Sequence, residues 1–187
     1  MSTSGTKRIQ TLDMVYIAMF AVIMAVCSWI SIPAMVPFTL QTFGVFLAVG
    51  TLGGKRGSLA VLIYLLLGAV GLPVFSGFAG GLGYMMGSTG GYIIGFLLSA
   101  LTMWAMERLL GKRKGVLALS MGLGLLVCYI FGTLWFMLVY TKNSGPIGLW
   151  TALVWCVFPF MIPDVIKIAL AFSVCRRLAG VIQADRE

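Results

Sequence analysis

Long apolar runs separated by short connections dominate the chain and limit what it can fold into. Hydrophobic residues make up 60% of its 187 residues and charged residues only 10%, whereas soluble domains are about half apolar and about a quarter charged. An apolar helix of ~20 residues crosses the hydrocarbon core of a bilayer. The sequence therefore predicts an all-α integral membrane protein, a compact bundle forming a single domain over residues 1–187.

Six membrane spans fit the hydropathy pattern, at about 14–31, 38–53, 57–71, 91–110, 116–140 and 149–175. The second and third are shorter than the ~20 residues that a helical span needs. We expect non-helical backbone to complete them, and such backbone is tolerated at membrane depth only beside protein or a water-filled cavity.

The basic residues fall on one side of this six-span arrangement, at Lys7, Arg8, Lys55, Arg56, Arg108, Lys112, Arg113, Lys114, Arg176, Arg177 and Arg186. The positive-inside rule then predicts two cytoplasmic termini, with an N-terminal segment at about 1–12 and a tail at about 176–187. The net charge of +8 is therefore a topology signal. It does not indicate a nucleic-acid partner, which would need a basic patch on an exposed domain.

The outward segments 32–41, 72–90 and 141–148 contain many glycines, prolines and aromatic residues, and Lys142 is their only charged residue. Ordinary solvated loops carry more charge. We expect these segments to fold onto the bundle as lids or cavity walls; the alternative is partly buried structural loops with no ligand.

Asp164 and Lys167 stand out inside the sixth span. A charge at bilayer depth costs at least ~2.5–3.5 kcal/mol and marks a functional site by default. Two prolines, Pro159 and Pro163, predict a kink or restart, with Pro163 at the first position of the new helix and Asp164 in its first turn. The pair is interpreted as an acceptor and a donor for a polar ligand, or alternatively as an ion pair that only positions the kink.

Weaker candidates lie near the outer face. Thr39 and Gln41 would share one face of an extended stretch, although Gln41 alone fits an idle interfacial residue. The outer aromatics Phe38, Phe75, Tyr84, Tyr92 and Trp150 are candidates for the wall of an apolar pocket.

Small residues recur on two spans. On span one, Ala18, Ala21 and Ala25 permit a close helix approach, which serves either internal packing or docking of another membrane subunit. A second row on span four, Gly87, Gly91, Gly95 and Ser99, indicates internal packing.

The sequence lacks the residues that several classes of function require. Neither the glycine-rich loop nor residues 49–56 match a nucleotide-binding fingerprint, so any ATP-driven step needs a partner. The chain has no histidine, so it has no Ser/His constellation. Only one acid lies deep in the membrane, so there is no carboxylate pair. The four cysteines are scattered and form no metal framework. A membrane enzyme is disfavoured. A self-sufficient proton-coupled carrier of a small polar vitamin that uses Asp164 and Lys167 as a relay stays open.

Four motifs occur in an order that resembles one family, the BioY family of biotin-specific S components of energy-coupling factor (ECF) transporters. They are PFTLQTFGVFL (37–47), GAVGLPVF (68–75), the glycine-rich stretch 77–95 and PFMIPDVIK (159–167). The resemblance implies a six-helix S-component bundle that binds biotin beneath its outer loops in a bacterial plasma membrane. It further implies association with a membrane T component and two ATP-binding subunits, with no cofactor and no ATP hydrolysis by this chain.

The resemblance also implies residue roles. Asp164 would accept hydrogen bonds from the ureido N–H groups of biotin, and Lys167 would donate to the ureido carbonyl. Thr39 and Gln41 would add hydrogen bonds, while Tyr84 and Tyr92 would contact the ligand. The arginine with which relatives hold the biotin carboxylate has no counterpart near the start of span four. The remaining candidates for that contact are backbone N–H groups, Tyr84, Ser88, Thr89, Lys142 and Asn143.

Overall fold

The computed structural model describes residues 11–34 and 36–184, with side chains as far as Leu178. Lys7, Arg8 and Arg186, which contributed to the predicted orientation, lie outside the described residues. So do most of the predicted N-terminal segment and the last residues of the predicted tail.

The described chain is almost entirely helical. Its helices are α1 (Thr11–Trp29), α2 (Gln41–Leu52), α3 (Gly54–Val70), α4 (Leu82–Met85), α5 (Gly90–Leu110), α6 (Lys114–Ser144), α7 (Leu149–Cys156) and α8 (Phe158–Ala184). Two short strands, β1 (Ser31–Ile32) and β2 (Phe38–Thr39), pair antiparallel between α1 and α2. A 3-10 turn at Ser76–Phe78 precedes α4.

Among the described residues, four helices are long and apolar enough to cross a membrane. They are α1, α5, α6 and the stretch Phe158–Leu178 of α8. The helices at the second and third predicted spans are shorter, with 12 residues in α2 and 17 in α3. Because β2 occupies the start of the second predicted span, α2 begins only at Gln41. The third outward segment is also shorter than predicted, because α6 continues through Ser144.

The sixth predicted span is broken, but the predicted position of the break is wrong. The chain leaves helical geometry at Val157, between α7 and α8, where φ is −123°. Pro159 therefore lies in the first turn of α8. Backbone N–H groups there have no acceptor within the helix, so the missing N–H of proline costs no hydrogen bond. Pro163 lies inside the helix, and Asp164 is not in its first turn. The helix-dipole argument for Asp164 consequently fails.

Glycines bring α5 and α6 into close contact along their length. A Cβ atom at Gly91 would lie 2.2 Å from Cβ of Trp135, and one at Gly132 would lie 2.3 Å from the Tyr92 ring. At Gly95 the nearest atom would be Sγ of Cys128, at 3.0 Å. The small residues of the fourth predicted span therefore serve internal packing, as the sequence indicated.

The small residues of α1 do not form one exposed row. Ala21 and Ala25 are 2% and 6% exposed, within the core that α1 forms with α2 and α3. Ala18 is exposed and lies on the outer side of the helix. The burial of Ala21 and Ala25 inside this chain therefore favours the internal-packing alternative for these two residues.

The two ends of the bundle differ in character. We call one the basic end: it carries the α2–α3 and α5–α6 connections and the end of α8, with Arg56, Lys112 and Arg176. Here Arg56 pairs with the buried Asp13 of α1 at 2.8 Å. The opposite end carries the β1–β2 hairpin and the loop from Gly71 to Thr89, and it contains the cavity described next.

Candidate ligand-binding site

A cavity lies beneath the hairpin and the loop from Gly71 to Thr89, at the end of the bundle opposite the basic end. We call it the site cavity. It encloses about 610 Å³, including the part open to solvent. All the predicted site residues line it, namely Thr39, Gln41, Tyr84, Tyr92, Asp164 and Lys167. The structure thus brings together residues that lie up to 128 positions apart in the chain.

The inward face of α8 explains how Asp164 and Lys167 reach this cavity. Residues 160, 164, 167, 171 and 175 are buried, at helical spacing, while large apolar side chains at 161, 162, 165, 166 and 170 are exposed. A helix in lipid directs its apolar side outward and any ionisable groups toward the bundle interior. Asp164 and Lys167 are consequently only 3% and 4% exposed.

The two oxygens of Asp164 have different partners. Nζ of Lys167 donates to Oδ1 at 2.8 Å, and the hydroxyl of Tyr129, on α6, donates to Oδ2 at 2.5 Å. Nζ of Lys167 also lies 4.1 Å from the centroid of the Phe38 ring. The carboxylate is thereby held between two helices in one orientation, with the ammonium beside it.

Tyr129 lines the site cavity and was not identified from the sequence. The available signal was spacing: Leu125, Cys128 and Tyr129 recur at helical intervals on α6, and all three line the cavity. The hydroxyl of Tyr129 on an otherwise apolar helix face is the sequence signal for this residue.

A second polar group anchors the start of α2. Oγ1 of Thr39 accepts from the backbone N–H of Gln41 and donates to Oε1 of Gln41, each at 3.2 Å. Nε2 of Gln41 donates to the buried hydroxyl of Tyr64, which donates in turn to the carbonyl of Val74 at 2.9 Å. The predicted extended stretch ends at Thr39, because Gln41 is already helical. The turn at Leu40 nevertheless directs both side chains to the cavity.

Aromatic and apolar groups complete the walls. The hydroxyl of Tyr92 is hydrogen-bonded to Thr133 at 2.9 Å, so its ring presents mainly apolar surface. Phe160 lines the cavity and stacks on Phe38 with 6.0 Å between ring centroids. Of the other predicted wall residues, Phe75 is fully buried behind Tyr84, and Trp150 is 71% exposed.

The loop from Gly71 to Thr89 supplies further polar groups. Tyr84 and Thr89 line the cavity, and the Tyr84 hydroxyl donates to the carbonyl of Ser76 at 3.4 Å. Ser88, Lys142 and Asn143 do not line it. Of the side chains proposed for a ligand carboxylate, only Tyr84 and Thr89 are therefore within the cavity.

The arrangement suits a ligand whose polar head is neutral overall. Asp164 accepts, Lys167 donates, and together they carry no net charge, so a head group with adjacent N–H and C=O groups meets a partner for each. Aromatic and aliphatic side chains surround the remainder. The described residues contain no group of three or more His, Cys, Asp or Glu side chains arranged to hold a metal ion.

Comparisons with known proteins agree on one family. Residues 1–184 match the model of the BioY family. The chain is 40% identical over 165 residues to the probable biotin transporter BioY of Pyrococcus horikoshii, an alignment covering 88% of this chain and 94% of that protein. It is 41% identical over 163 residues to the biotin transporter BioY of Thermotoga maritima, covering 85% and 90%.

A solved structure also resembles it. The crystal structure of the S-component for biotin from an ECF-type ABC transporter superimposes with a TM-score of 0.81 at 27% identity, covering 96% of this chain and 95% of the other. The described helices therefore follow an S-component fold.

Proposed function

Because the chain belongs to the BioY family, we propose that it is the high-affinity biotin-binding, substrate-capture subunit of an ECF-type ABC transporter for vitamin uptake. The observation that carries the proposal is the buried Asp164–Lys167 pair in the site cavity, with Tyr129 fixing the carboxylate. The family match and the likeness to an S-component for biotin support the same ligand.

Each part of biotin has a place in this proposal. The ureido N–H groups donate to Asp164, and the ureido carbonyl accepts from Lys167. Thr39 and Gln41 add hydrogen bonds from the start of α2. The thioether ring and the aliphatic tail pack against Tyr92 and neighbouring apolar side chains.

The biotin carboxylate is assigned to the loop side of the cavity. Tyr84 and Thr89 supply hydroxyl groups there, and backbone N–H groups of the same loop add donors. A charged end at the mouth stays close to water, whereas at the Asp164–Lys167 pair it would place a second carboxylate beside Asp164.

The remaining assignments belong to the same proposal. The chain forms a single domain, 1–187, of six membrane-crossing helices in the plasma membrane of a bacterial cell, with the basic end and both termini in the cytoplasm. It associates with a membrane T component and two ATP-binding subunits, which hydrolyse ATP. This chain is not an enzyme and uses no cofactor. The lipid bilayer is a further partner. Of the predicted docking residues, Ala18 alone is exposed for contact with a partner.

Calorimetry of biotin binding to the purified chain in detergent tests the function directly. We expect one-to-one binding, with weaker binding of desthiobiotin and none of an unrelated vitamin. Asp164→Asn and Lys167→Ala should each weaken binding at least about tenfold, because the partner group loses its hydrogen bond inside the cavity. Lys55→Met, an exposed change at the basic end, is the matched control and should bind as the unaltered chain does.

Two results would contradict the proposal. Absence of binding by monodisperse, ligand-free protein would remove biotin as the substrate. Biotin uptake into proteoliposomes by this chain alone, abolished by a protonophore, would favour the proton-coupled carrier in which Asp164 and Lys167 relay protons.

A further inference from the structure

A second large cavity lies at the basic end of the bundle, remote from the site cavity. We call it the basic cleft. It encloses about 1280 Å³, including the part open to solvent, and its walls come from α2, α5, α6 and α8 together with the α5–α6 connection. None of the residues assigned to biotin lines it.

Four basic side chains line the basic cleft: Lys112, Arg113, Lys114 and Arg176. Lys112 pairs with Glu107 at 3.2 Å. Within residues 11–34 and 36–178, whose side chains the structure describes, Arg113, Lys114 and Arg176 have no carboxylate within salt-bridge distance. Three positive charges therefore converge on the cleft without a matching negative charge from this part of the chain.

The inner walls of the basic cleft are apolar. Val49 and Met103 are buried side chains at its floor, and Leu117 forms part of the α6 wall. Two small polar side chains also line it, and both bond within the protein: Thr51 donates to Sγ of Cys175 at 3.4 Å, and Ser120 donates to the carbonyl of Leu117 at 2.8 Å. A ligand that fills this cleft therefore needs an apolar part as well as an anionic one.

The cleft lies where a lipid headgroup would be. Lys114 is the first residue of α6, and Arg176 lies in the last turn of the apolar stretch Phe158–Leu178 of α8. Basic residues at the ends of spanning helices lie at headgroup level, and basic pockets between such helices bind anionic headgroups. We propose that the basic cleft binds one anionic phospholipid, with its phosphate at Arg113, Lys114 and Arg176 and an acyl chain along Leu117 and Val49.

The proposal is tested on the full chain in detergent, with phosphatidylglycerol and phosphatidylcholine of identical acyl chains as probes and native mass spectrometry as the readout. We expect one saturable phosphatidylglycerol adduct, at least about tenfold tighter than that of phosphatidylcholine. Each of Arg113→Gln, Lys114→Gln and Arg176→Gln should weaken it roughly fivefold, the usual effect of one cation near an anionic lipid surface. Arg177→Gln is the matched control, since Arg177 is exposed beside Arg176 but does not line the cleft.

A second variant tests the acyl contact without changing any charge. Leu117→Trp should fill the cleft and reduce the phosphatidylglycerol adduct, while glycerol phosphate and inorganic phosphate should compete poorly with the lipid. Equal losses from Arg176→Gln and Arg177→Gln would overturn the proposal in favour of diffuse surface charge. Full displacement of the lipid by inorganic phosphate at a similar concentration would instead indicate a soluble-anion site.

Discussion

The Asp164–Lys167 pair offers the sharpest separation between a structural role and a ligand-binding role. The two side chains are 4% and 5% exposed and joined at 2.8 Å. Removing one partner of a buried pair leaves an uncompensated charge, which costs about 3–5 kcal/mol. Replacing both with neutral groups of similar size removes the two charges together, and it is often close to neutral for stability.

We therefore expect Lys167→Met to lower the free energy of unfolding by about 3–5 kcal/mol, because Asp164 then keeps only the hydroxyl of Tyr129. In a chain of this length that corresponds to a fall in melting temperature of roughly 6–20 °C. The double variant Asp164→Asn/Lys167→Met should recover most of this loss. It should not recover biotin binding, because the proposed acceptor and donor for the ureido group are both altered.

The assay measures thermal unfolding and biotin affinity on the unaltered chain, on Asp164→Asn, on Lys167→Met and on the double variant. Lys112→Met is the control, since Lys112 is 73% exposed beside Glu107 and such surface pairs contribute only about 0–1 kcal/mol. A Lys167→Met variant as stable as Lys112→Met would refute the claim that the pair is desolvated. A double variant with unaltered affinity for biotin would show that the pair only positions α8.

Three further changes test the site and the packing. Tyr129→Phe should weaken biotin binding about tenfold, measured by calorimetry, since a hydrogen bond to a charged acceptor contributes about 1.5–3 kcal/mol; unaltered affinity would remove this residue from the site. Gly91→Ala should reduce the melting temperature, because its Cβ would lie 2.2 Å from a tryptophan side chain. The control Gly122→Ala, whose Cβ would have nothing within 4 Å, should not reduce it. Equal melting temperatures for the two variants would contradict this packing. Ala25→Leu should lower the yield of monodisperse protein, because Ala25 is only 6% exposed. The control Val22→Leu should not, because Val22 is 60% exposed. If Ala25→Leu is obtained in unaffected, monodisperse yield but copurifies poorly with a T component, the docking interpretation is favoured instead.

The polar part of the site was predictable because lipid makes polar groups conspicuous. Asp164 and Lys167 are the only acid and base within the sixth predicted span, 149–175, and Thr39 with Gln41 interrupts another apolar stretch. Tyr129 was missed because a tyrosine in an apolar span is compatible with packing, an interfacial belt or a site. Only the three-dimensional approach of α6 to α8 separates these alternatives.

The orientation of α1 and the break before α8 were not predictable for different reasons. A span in lipid is apolar on every side, so hydropathy does not indicate which small residues face inward; Ala18 and Ala25 are equivalent in sequence and opposite in burial. For α8, two prolines four residues apart were each compatible with a first turn. The chain breaks at Val157, so Pro159 takes that position.

Under the proposed function, the charge balance of the site cavity determines the orientation in which biotin is expected to bind. The charges of Asp164 and Lys167 cancel, and Tyr129 already donates to one oxygen of the carboxylate, so this part of the cavity presents hydrogen-bonding groups without net charge. A neutral ureido group gains these bonds at no Coulombic cost, whereas a ligand carboxylate placed there would face Asp164 across a few ångströms in a medium that screens poorly. The loop side, with Tyr84 and Thr89, carries no acidic residue among those that line the cavity. Biotin is therefore expected to bind with its ring system toward α8 and its carboxylate toward the loop.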